Sequence, residues 1–413
     1  MGLIGLRRFV ACMTVAAVLA GVAPGAALAA SASAPGVAAA SAILVTMDGT
    51  ELWSLNPTAK RAVASTTKLL TALVVLDNAS LEDTVVVSHK AVVAVDEGGV
   101  GLYTGQRLTV RQLMNMMLIA SANDAAEVLA VHVAGSEAKF VDMMNAKAAS
   151  LGLKNTKAVD PHGLGDRGRS TAADLSVIAR EVMAYPEIRE IVSKKSVSVP
   201  GPKGSHLVYS STDELLGHYA GIEGVKTGYT DPAGYCFVGA AKRGDTELLG
   251  VVLGAGAGGA RFTEMAKLLD WGFAHFRTQV LVSDKAPIGV VAIGRSGDAT
   301  VSVRAAESFS LLQPVTEDVA SVRITLPQAV STSVWRGQQL GTAEVYRSGS
   351  IVATIPLLAE MAVSDPAAVK PAPTPPAPAE ESTGSAWQRA VRASTRAMGL
   401  LSLQLLGTPV KAK

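Results

Sequence analysis

The chain has 413 residues, 49% of them hydrophobic and 17% charged, so it is not wholly disordered and is long enough for two or three domains. Its 37 Lys and Arg residues nearly balance 35 Asp and Glu residues, and this balance argues against a nucleic-acid-binding protein. Two cysteines exclude a disulfide framework, and six scattered histidines without an H-E-x-x-H motif argue against a metalloenzyme.

A secretory signal peptide is predicted at residues 1–29. Arg7 and Arg8 precede an apolar run over residues 9–22, and residues 27–29 have the A-x-A pattern of a signal-peptide cleavage site. A transmembrane anchor is the alternative, but the run is shorter than the roughly 20 residues that a membrane-spanning helix needs. We therefore expect the protein to be exported.

Residues 30–279 are predicted to form one mixed α/β domain. The patterns predict strands at residues 42–47, 51–55, 225–227, 235–241 and 247–253, and helices at residues 65–76, 110–117, 122–133, 137–151 and 262–276. Thr171 is expected to cap one more helix, since Asp174 follows at the third position and an apolar stripe comes after it.

The sequence pattern changes after residue 279. Residues 280–365 are predicted to form a small all-β domain, with strand-like runs at residues 300–303, 321–326, 341–346 and 350–355. A Pro-rich linker is expected at residues 366–385. Residues 386–413 form a basic amphipathic pattern that suits an anionic membrane surface, and the alternative is a helix that docks on the protein itself.

The first chemical motif is S-x-x-K, at Ser65 and Lys68. Positions three apart share a face of a helix, so the Lys68 amine can reach the Ser65 hydroxyl. A serine needs a base to become a nucleophile, and lysine is a base only when it is neutral. Burial and a nearby positive charge would lower its pKa from the usual value of about 10.4.

Two further triplets supply groups that the first lacks. Ser121 and Asn123 open a predicted helix and offer a hydroxyl that can relay a proton and an amide that can hold a carbonyl. Lys226, Thr227 and Gly228 lie on a predicted strand and offer a positive charge, a hydroxyl for a carboxylate, and space. Each triplet alone is weak evidence. Together and in this order they match the motif set of penicillin-recognising serine enzymes, with S-A-N in the middle position.

The chain resembles the low-molecular-mass penicillin-binding proteins that are serine-type D-Ala-D-Ala carboxypeptidases. The similarity extends to residues 64–73, 160–164, 224–230 and 268–273 and covers nearly the whole mature chain. It implies a mixed α/β penicillin-binding/β-lactamase-like serine peptidase domain, followed by a small all-β domain and a C-terminal amphipathic helix.

The resemblance also implies the catalytic roles. Ser65 would be the acyl-accepting nucleophile and Lys68 its general base. Ser121 would relay the proton to the leaving D-alanine, and Asn123 would hold the substrate amide. His162 is expected to be structural.

The substrate-binding residues follow from the same resemblance. Lys226 would tune the electrostatic field, and Thr227 would bind the terminal carboxylate with the help of Arg261. Gly228 would leave room for the substrate backbone, and the N–H groups of the nucleophile and of Tyr229 would form the oxyanion hole. Two segments depart from the family pattern. Residues 211–213 read Ser-Thr-Asp where an Asn-Thr-Asn-like segment is common, and residues 254–261 are unusually rich in Gly and Ala.

The implied reaction removes the terminal D-alanine from peptidoglycan pentapeptide stems through a Ser65 acyl-enzyme, which water then hydrolyses. Penicillin would acylate the same serine. The expected partners are the stem peptide, β-lactam antibiotics and, through the tail, a membrane surface, with no nucleic acid and no metal or organic cofactor. The expected location is the outer face of the cytoplasmic membrane, the periplasm or the cell wall.

Three other functions remain open from the sequence. A β-lactamase shares the triplets, but no Glu-x-x-x-Asn occurs between Ser121 and Lys226, and the β domain and tail are unusual for that class. A D,D-endopeptidase is possible, although such members often lack the second domain. A non-catalytic cell-wall-binding protein is disfavoured by the intact Ser65 and Lys68.

Overall fold

The computed structural model describes residues 34–93, 97–165, 167–201, 204–294, 299–316 and 320–365. The predicted signal peptide, linker and amphipathic tail lie outside these residues. The chain divides into two compact units. One consists of the described residues of Met1–Gly289 with Val303–Leu326 and Gln339–Leu358, and the other of the described remainder.

The secondary structure is named in chain order. The strands are β1 Ser41–Thr46, β2 Glu51–Leu55, β3 Thr84–Val86, β4 Arg107–Thr109, β5 Ser196–Pro200, β6 His206–Ser210, β7 Ile222–Thr230, β8 Gly234–Arg243, β9 Thr246–Ala255, β10 Phe276–Val282, β11 Gly289–Ile293, β12 Ala299–Ala305, β13 Phe309–Pro314, β14 Ala320–Thr325, β15 Ala329–Val330, β16 Gln339–Arg347 and β17 Ser350–Ala359. The helices are α1 Lys68–Asn78, α2 His89–Val93, α3 Val110–Ile119, α4 Asn123–Ala134, α5 Glu137–Ser150, α6 Ala172–Met183, α7 Pro186–Val192 and α8 Ala260–His275, and Ala64–Thr67 forms a 3-10 turn.

An antiparallel sheet of five strands, in the order β2-β1-β9-β8-β7, organises the first unit. Successive side chains of a strand point to opposite faces, so Ile43 and Val45 of β1 join one hydrophobic cluster and Ala42 and Leu44 join the other. Helices α1 to α7 contribute to the first cluster, and α8 contributes to the second. Both faces of the central part of the sheet are therefore buried, which explains why β1, β8 and β9 read as largely apolar runs.

The predicted helix at residues 65–76 is present but begins later than expected. Ser65 lies on the 3-10 turn, and the α-helix starts at Lys68. Ala64, just before the serine, has a φ of 49°, in the left-handed region that non-glycine residues rarely adopt. From Lys68 to Val75 every residue of α1 is buried, so the helix passes through the core and carries the lysine into it.

Two predicted helix starts had different outcomes. Thr171 caps α6 as predicted, because its side chain accepts a hydrogen bond of 3.0 Å from the Asp174 N–H. The helix expected from residue 122 begins instead at Asn123, with Ala122 as its N-cap. Ser121 precedes that cap and has a φ of 61°. The S-A-N triplet is therefore a left-handed turn that delivers its asparagine to the first position of α4.

The described residues from 276 to 365 form strands, turns and loops, in agreement with the predicted all-β structure. The four predicted runs correspond to β12, β14, β16 and β17. In the first unit β10 pairs with β13, and β16 pairs with both β14 and β17; in the second unit β11 pairs with β15 in parallel. Within the described ranges, no helix combines the length and the apolarity that crossing a membrane demands.

Candidate active site

Lys68 joins three segments that are distant in sequence. Its Nζ lies 2.7 Å from the Ser65 Oγ, 2.6 Å from the Asn123 Oδ1 and 2.8 Å from the His162 carbonyl oxygen. The lysine side chain is 0% exposed. We call the group of Ser65, Lys68, Asn123 and His162 the nucleophile end of the site.

The partners of Lys68 fit a neutral amine. The Asn123 Nδ2 donates to the Glu97 carbonyl at 2.8 Å, which fixes the amide so that its oxygen faces Lys68. The His162 carbonyl can likewise only accept. A neutral amine has two N–H groups for these two acceptors and one lone pair for the Ser65 hydroxyl proton. The arrangement can therefore act as a general base on Ser65 without breaking either of the other contacts.

Electrostatics favour the same protonation state. Burial, followed by the positive charge of Lys226, holds the pKa of Lys68 well below its usual value. The carboxylates of Asp160 and Asp124 oppose this effect, but burial is the largest cause. The pKa of Lys68 is therefore shifted in the direction that a lysine general base requires.

Asp160 supports the loop that carries the His162 carbonyl. Its carboxylate accepts hydrogen bonds from the N–H groups of His162 at 2.9 Å, Gly165 at 2.6 Å and Gly163. Burial alone would raise the pKa of Asp160, but the contact with His162 and the N–H groups of the two glycines lower it below its usual range. The loop is thus folded around a carboxylate whose ionised form its hydrogen bonds favour.

The same loop packs closely against the nucleophile turn. Gly163 has a φ of 87°, and a Cβ at this position would overlap the Ala64 carbonyl. Thr71 of α1 donates a hydrogen bond of 2.6 Å to the Pro161 carbonyl and ties the loop to the helix. A glycine is therefore required at position 163, and the loop and the strained turn before Ser65 hold each other in place.

Asp124, the residue after Asn123, supports another part of the site. Its carboxylate accepts from the N–H groups of Val100, Gly101 and Leu102, each at 3.0 Å through Oδ2. Asp124 is buried, so these bonds replace the water that an ionised carboxylate would otherwise need. The sequence analysis did not single out Asp124, although its place directly after the S-A-N triplet was a usable signal.

A second group of polar residues lies along β7. The Lys226 Nζ donates to the Thr227 carbonyl at 2.9 Å, and the hydroxyls of Thr227 and Thr212 are 2.6 Å apart. The Arg261 Nη1, from the first turn of α8, donates to the Gly228 carbonyl at 3.3 Å. We call Thr212, Asp213, Lys226, Thr227 and Arg261 the strand end of the site.

The charges of the strand end influence one another. Burial and then the charge of Arg261 lower the pKa of Lys226 to about 7, against the opposing effect of Asp213. Burial raises the pKa of Asp213 to about 6, although a hydrogen bond from the Leu215 N–H and the charge of Lys226 lower it. The Asp213 Oδ2 is buried without a hydrogen-bond partner. This end therefore concentrates positive charge that Asp213 only partly offsets.

Gly228 brings the strand to the nucleophile turn. A Cβ at this glycine would lie 3.0 Å from the Ser65 nitrogen, so a larger residue would crowd the backbone N–H of the nucleophile. The next residue, Tyr229, is 48% exposed and stacks on Tyr235 with ring centroids 4.3 Å apart. The predicted site residues on β7 thus run from the buried Lys226, past Gly228 beside Ser65, to the exposed Tyr229.

Six of the nine predicted site residues fall into these two groups, Gly228 and Tyr229 follow Thr227 on β7, and Ser121 belongs to neither group. The three hydrogen bonds of the Lys68 Nζ go to Ser65, Asn123 and His162, so the Ser121 hydroxyl is not one of its direct partners. No sequence pattern indicates the His162 carbonyl or the Asp160 support, and Asp213 stands out in the sequence only as part of the departing segment at residues 211–213. The D-P-H-G-L segment is part of the family resemblance, but its histidine was not expected to contribute a backbone oxygen to the base.

Two family models match the chain. Residues 28–257 match a family model described as D-alanyl-D-alanine carboxypeptidase. Residues 276–365 match a model described as penicillin-binding protein 5, C-terminal domain.

Individual relatives point the same way. The D-alanyl-D-alanine carboxypeptidase DacF of Bacillus subtilis is 31% identical over 331 residues, which cover 78% of this chain and 85% of the relative. DacB2 of Mycobacterium tuberculosis is 43% identical over 219 residues, covering 51% of this chain and 74% of the relative. The crystal structure of penicillin binding protein 5 from Haemophilus influenzae matches with a TM-score of 0.61 and 27% identity, over 81% of this chain and all of that one.

Proposed function

Because the chain belongs to the D-alanyl-D-alanine carboxypeptidase family, we propose that it removes the terminal D-alanine from peptidoglycan pentapeptide stems through an acyl-enzyme on Ser65. The predicted family, the predicted penicillin-binding fold with its all-β domain, and the predicted serine peptidase class are confirmed by the family models and relatives. The observation that carries the mechanism is the buried Lys68, held between the Ser65 Oγ and two acceptors.

Acylation would begin with transfer of the Ser65 hydroxyl proton to the neutral Lys68. The Oγ attacks the carbonyl carbon of the penultimate D-alanine, and the N–H groups of Ser65 and Tyr229 stabilise the oxyanion. The C–N bond then breaks, and the proton passes to the nitrogen of the leaving D-alanine, with Ser121 as the relay. Water hydrolyses the ester that remains on Ser65, so the enzyme is regenerated.

The strand end would hold the terminal carboxylate of the substrate. Thr227 offers a hydroxyl that the contact with Thr212 orients, and Lys226 and Arg261 supply positive charge. The Asn123 oxygen accepts from Lys68, and one of the two Nδ2 hydrogens is donated to the Glu97 carbonyl. We propose that the second Nδ2 hydrogen is donated to a carbonyl of the substrate amide.

The domain boundaries and location are part of the same proposal. We propose a signal peptide at residues 1–29, a catalytic domain at 30–279, an all-β domain at 280–365, a linker at 366–385 and a membrane-associating tail at 386–413. The A-x-A pattern supports export, and the basic amphipathic pattern of the tail supports a membrane surface. A protein truncated after residue 385 that still pelleted fully with membranes would contradict the role of the tail.

The decisive experiment compares the wild type with Ser65→Ala. Each protein is incubated with a peptide that ends in D-Ala-D-Ala and, separately, with penicillin, and free D-alanine and the covalent adduct are measured by mass spectrometry. We expect D-alanine release and a long-lived adduct in the wild type, and a loss of both by at least about a thousandfold in the variant. Ser150→Ala, which changes an exposed serine at the end of α5, is the matched control.

Each other outcome points to one of the alternatives. Rapid turnover of penicillin without D-alanine release would indicate a β-lactamase. Cleavage of cross-linked dimers in preference to the pentapeptide would indicate a D,D-endopeptidase. The absence of both D-alanine release and adduct in the wild type would contradict the proposal and favour a non-catalytic protein.

A further inference from the structure

Three ligand-type side chains converge beside the loop that carries the His162 carbonyl. Glu127 of α4, Glu137 of α5 and His162 each offer one ligand atom, and these atoms all lie within 4.8 Å of one another. Glu127 and His162 are buried, and Glu137 is half-buried. The two helices and the loop therefore meet at one point with two carboxylates and one imidazole.

One oxygen of Glu127 has no hydrogen-bond partner among the described residues. The residue is 1% exposed, and the oxygen concerned is Oε2. Burial, and then the negative charge of Glu137, raise the pKa of Glu127 to about 7, against the opposing charge of Lys90. A buried carboxylate oxygen without a donor destabilises a fold, and a cation held between Glu127, Glu137 and His162 would offset that cost.

His162 is held as metal-binding histidines commonly are. Its Nδ1 lies 3.1 Å from the Asp160 Oδ1, and Asp160 is itself fixed by backbone N–H groups. The shorter contact, with Asp160, needs the proton on Nδ1, whereas a contact of 3.4 Å in which the Leu164 N–H donates to Nδ1 needs the other tautomer. The tautomer with the proton on Nδ1 leaves a lone pair on Nε2 for a metal ion, and the carboxylate orients the ring. The loop thus supplies the outer support that a ligating histidine needs.

We propose that Glu127, Glu137 and His162 form a binding site for a divalent transition-metal ion, with zinc the best match to the donor set. One imidazole and two carboxylates provide three of the four ligands of a tetrahedral zinc ion and leave one position for water. Tetrahedral coordination requires donor atoms about 3.4 Å apart, so small rotamer changes would close the present spacing. Glu137 can make this adjustment, because it is half-buried in the first turn of α5.

The proposed ion is not a cofactor of the reaction. The site lies behind the base, because the ring of His162 faces the cluster while its carbonyl accepts from Lys68 at 2.8 Å. Metal binding is therefore tested independently of carboxypeptidase activity. No sequence motif predicts this site, because the residues at positions 127, 137 and 162 have no regular spacing.

The test measures metal binding by the full mature chain. Protein stripped with EDTA is titrated calorimetrically with Zn²⁺, and separately with Mg²⁺ and Ca²⁺, and the bound metal is counted after dialysis by mass spectrometry. We expect one zinc per chain, weaker binding of the two hard cations, and a rise in melting temperature with zinc. Co²⁺ in place of zinc is expected to give the visible absorption of a tetrahedral site.

Variants separate the site from adventitious binding. Glu127→Gln and Glu137→Gln should each weaken zinc binding at least about tenfold and remove the zinc-dependent rise in melting temperature. Glu137 is half-buried, so its variant remains informative if Glu127→Gln folds poorly. Asp142→Asn, an exposed carboxylate on α5, is the matched control and should bind like the wild type. No saturable binding by the wild type, or equal binding by all variants, would overturn the proposal.

Discussion

The two ends of the site use the same residue type at the same depth and place it in opposite surroundings. Lys68 is 0% exposed and Lys226 is 1% exposed. Lys68 meets three uncharged oxygens, and among the described residues no carboxylate forms a salt bridge with it. Lys226 meets a single carbonyl and has Asp213 and Arg261 as its charged neighbours.

The different partners of the two lysines show that burial alone does not determine what a lysine does. Burial lowers the pKa of both lysines, and a neighbouring positive charge lowers it further in each case. The uncharged partners of Lys68 match a neutral amine, whereas a pKa of about 7 lets Lys226 keep part of its charge near neutral pH. The first environment suits a base, and the second suits the attraction of a carboxylate.

The strongest test of this comparison replaces each lysine by arginine. A guanidinium stays protonated, so Lys68→Arg should lose the general base and slow acylation by roughly a hundredfold to ten-thousandfold. Lys226→Arg keeps the positive charge and should lose no more than about tenfold, through crowding of a buried site. The rate constant for acylation by a β-lactam measures both. Equal losses would show that the two lysines do not differ in role.

A smaller effect is expected on the pH profile of Lys226→Gln. The charge of Lys226 disfavours protonation of Lys68, so its removal should raise the pKa of Lys68. The ascending limb of kcat/KM, where Lys68 loses its proton, should therefore move to higher pH by about one unit. The measurement is kcat/KM as a function of pH in the wild type, Lys226→Gln and Lys226→Arg. An ascending limb at the same pH in the wild type and Lys226→Gln would show that the charge of Lys226 does not affect the pKa of Lys68.

The smallest expected effect on activity belongs to Asp213→Asn. The carboxylate of Asp213 raises the pKa of Lys226, so its loss should lower that pKa and reduce the charge on Lys226 above pH 7. We expect KM for the peptide to rise by about threefold with little change in kcat, as for a loss of uniform binding. Asp245→Asn, at an exposed carboxylate in the turn between β8 and β9, is the control and should leave KM unchanged.

The same variant gives a test of stability. The pKa of Asp213 is about 6 in the folded protein, against about 3.9 in an unfolded chain, so the folded state binds more protons between these values. The wild type should therefore lose stability as pH rises through this window, and Asp213→Asn should not. Urea unfolding at several pH values measures the free energy of unfolding of each protein. The difference between the two proteins should stay constant once the pH exceeds the folded-state pKa of Asp213. A parallel decline in both proteins would refute the raised pKa.

Much of the fold was predictable because its elements follow local rules. The apolar runs of β1, β8 and β9 and the stripe behind the Thr171 cap were visible in the sequence. The i, i+3 spacing of the S-x-x-K motif predicted the contact between Ser65 and Lys68, although a 3-10 turn carries the serine.

The rest of the site depends on contacts that no local pattern encodes. The His162 carbonyl reaches Lys68 across 94 positions, and the Asn123 oxygen does so across 55. The left-handed turn at Ser121 is held by surrounding structure rather than by residue preference, since serine seldom adopts a positive φ. The partners of a buried lysine are therefore known only once the chain has folded.

Asp124 ties a short segment of backbone to the start of α4. Its carboxylate holds Val100, Gly101 and Leu102 by their N–H groups, and every residue type except proline has such a group. The choice of residue is nevertheless narrow, because Gly101 has a φ of 79° and its two neighbours are buried. Among descendants of this chain the segment would therefore be expected to drift slowly, with a glycine kept at position 101 and apolar residues kept on either side.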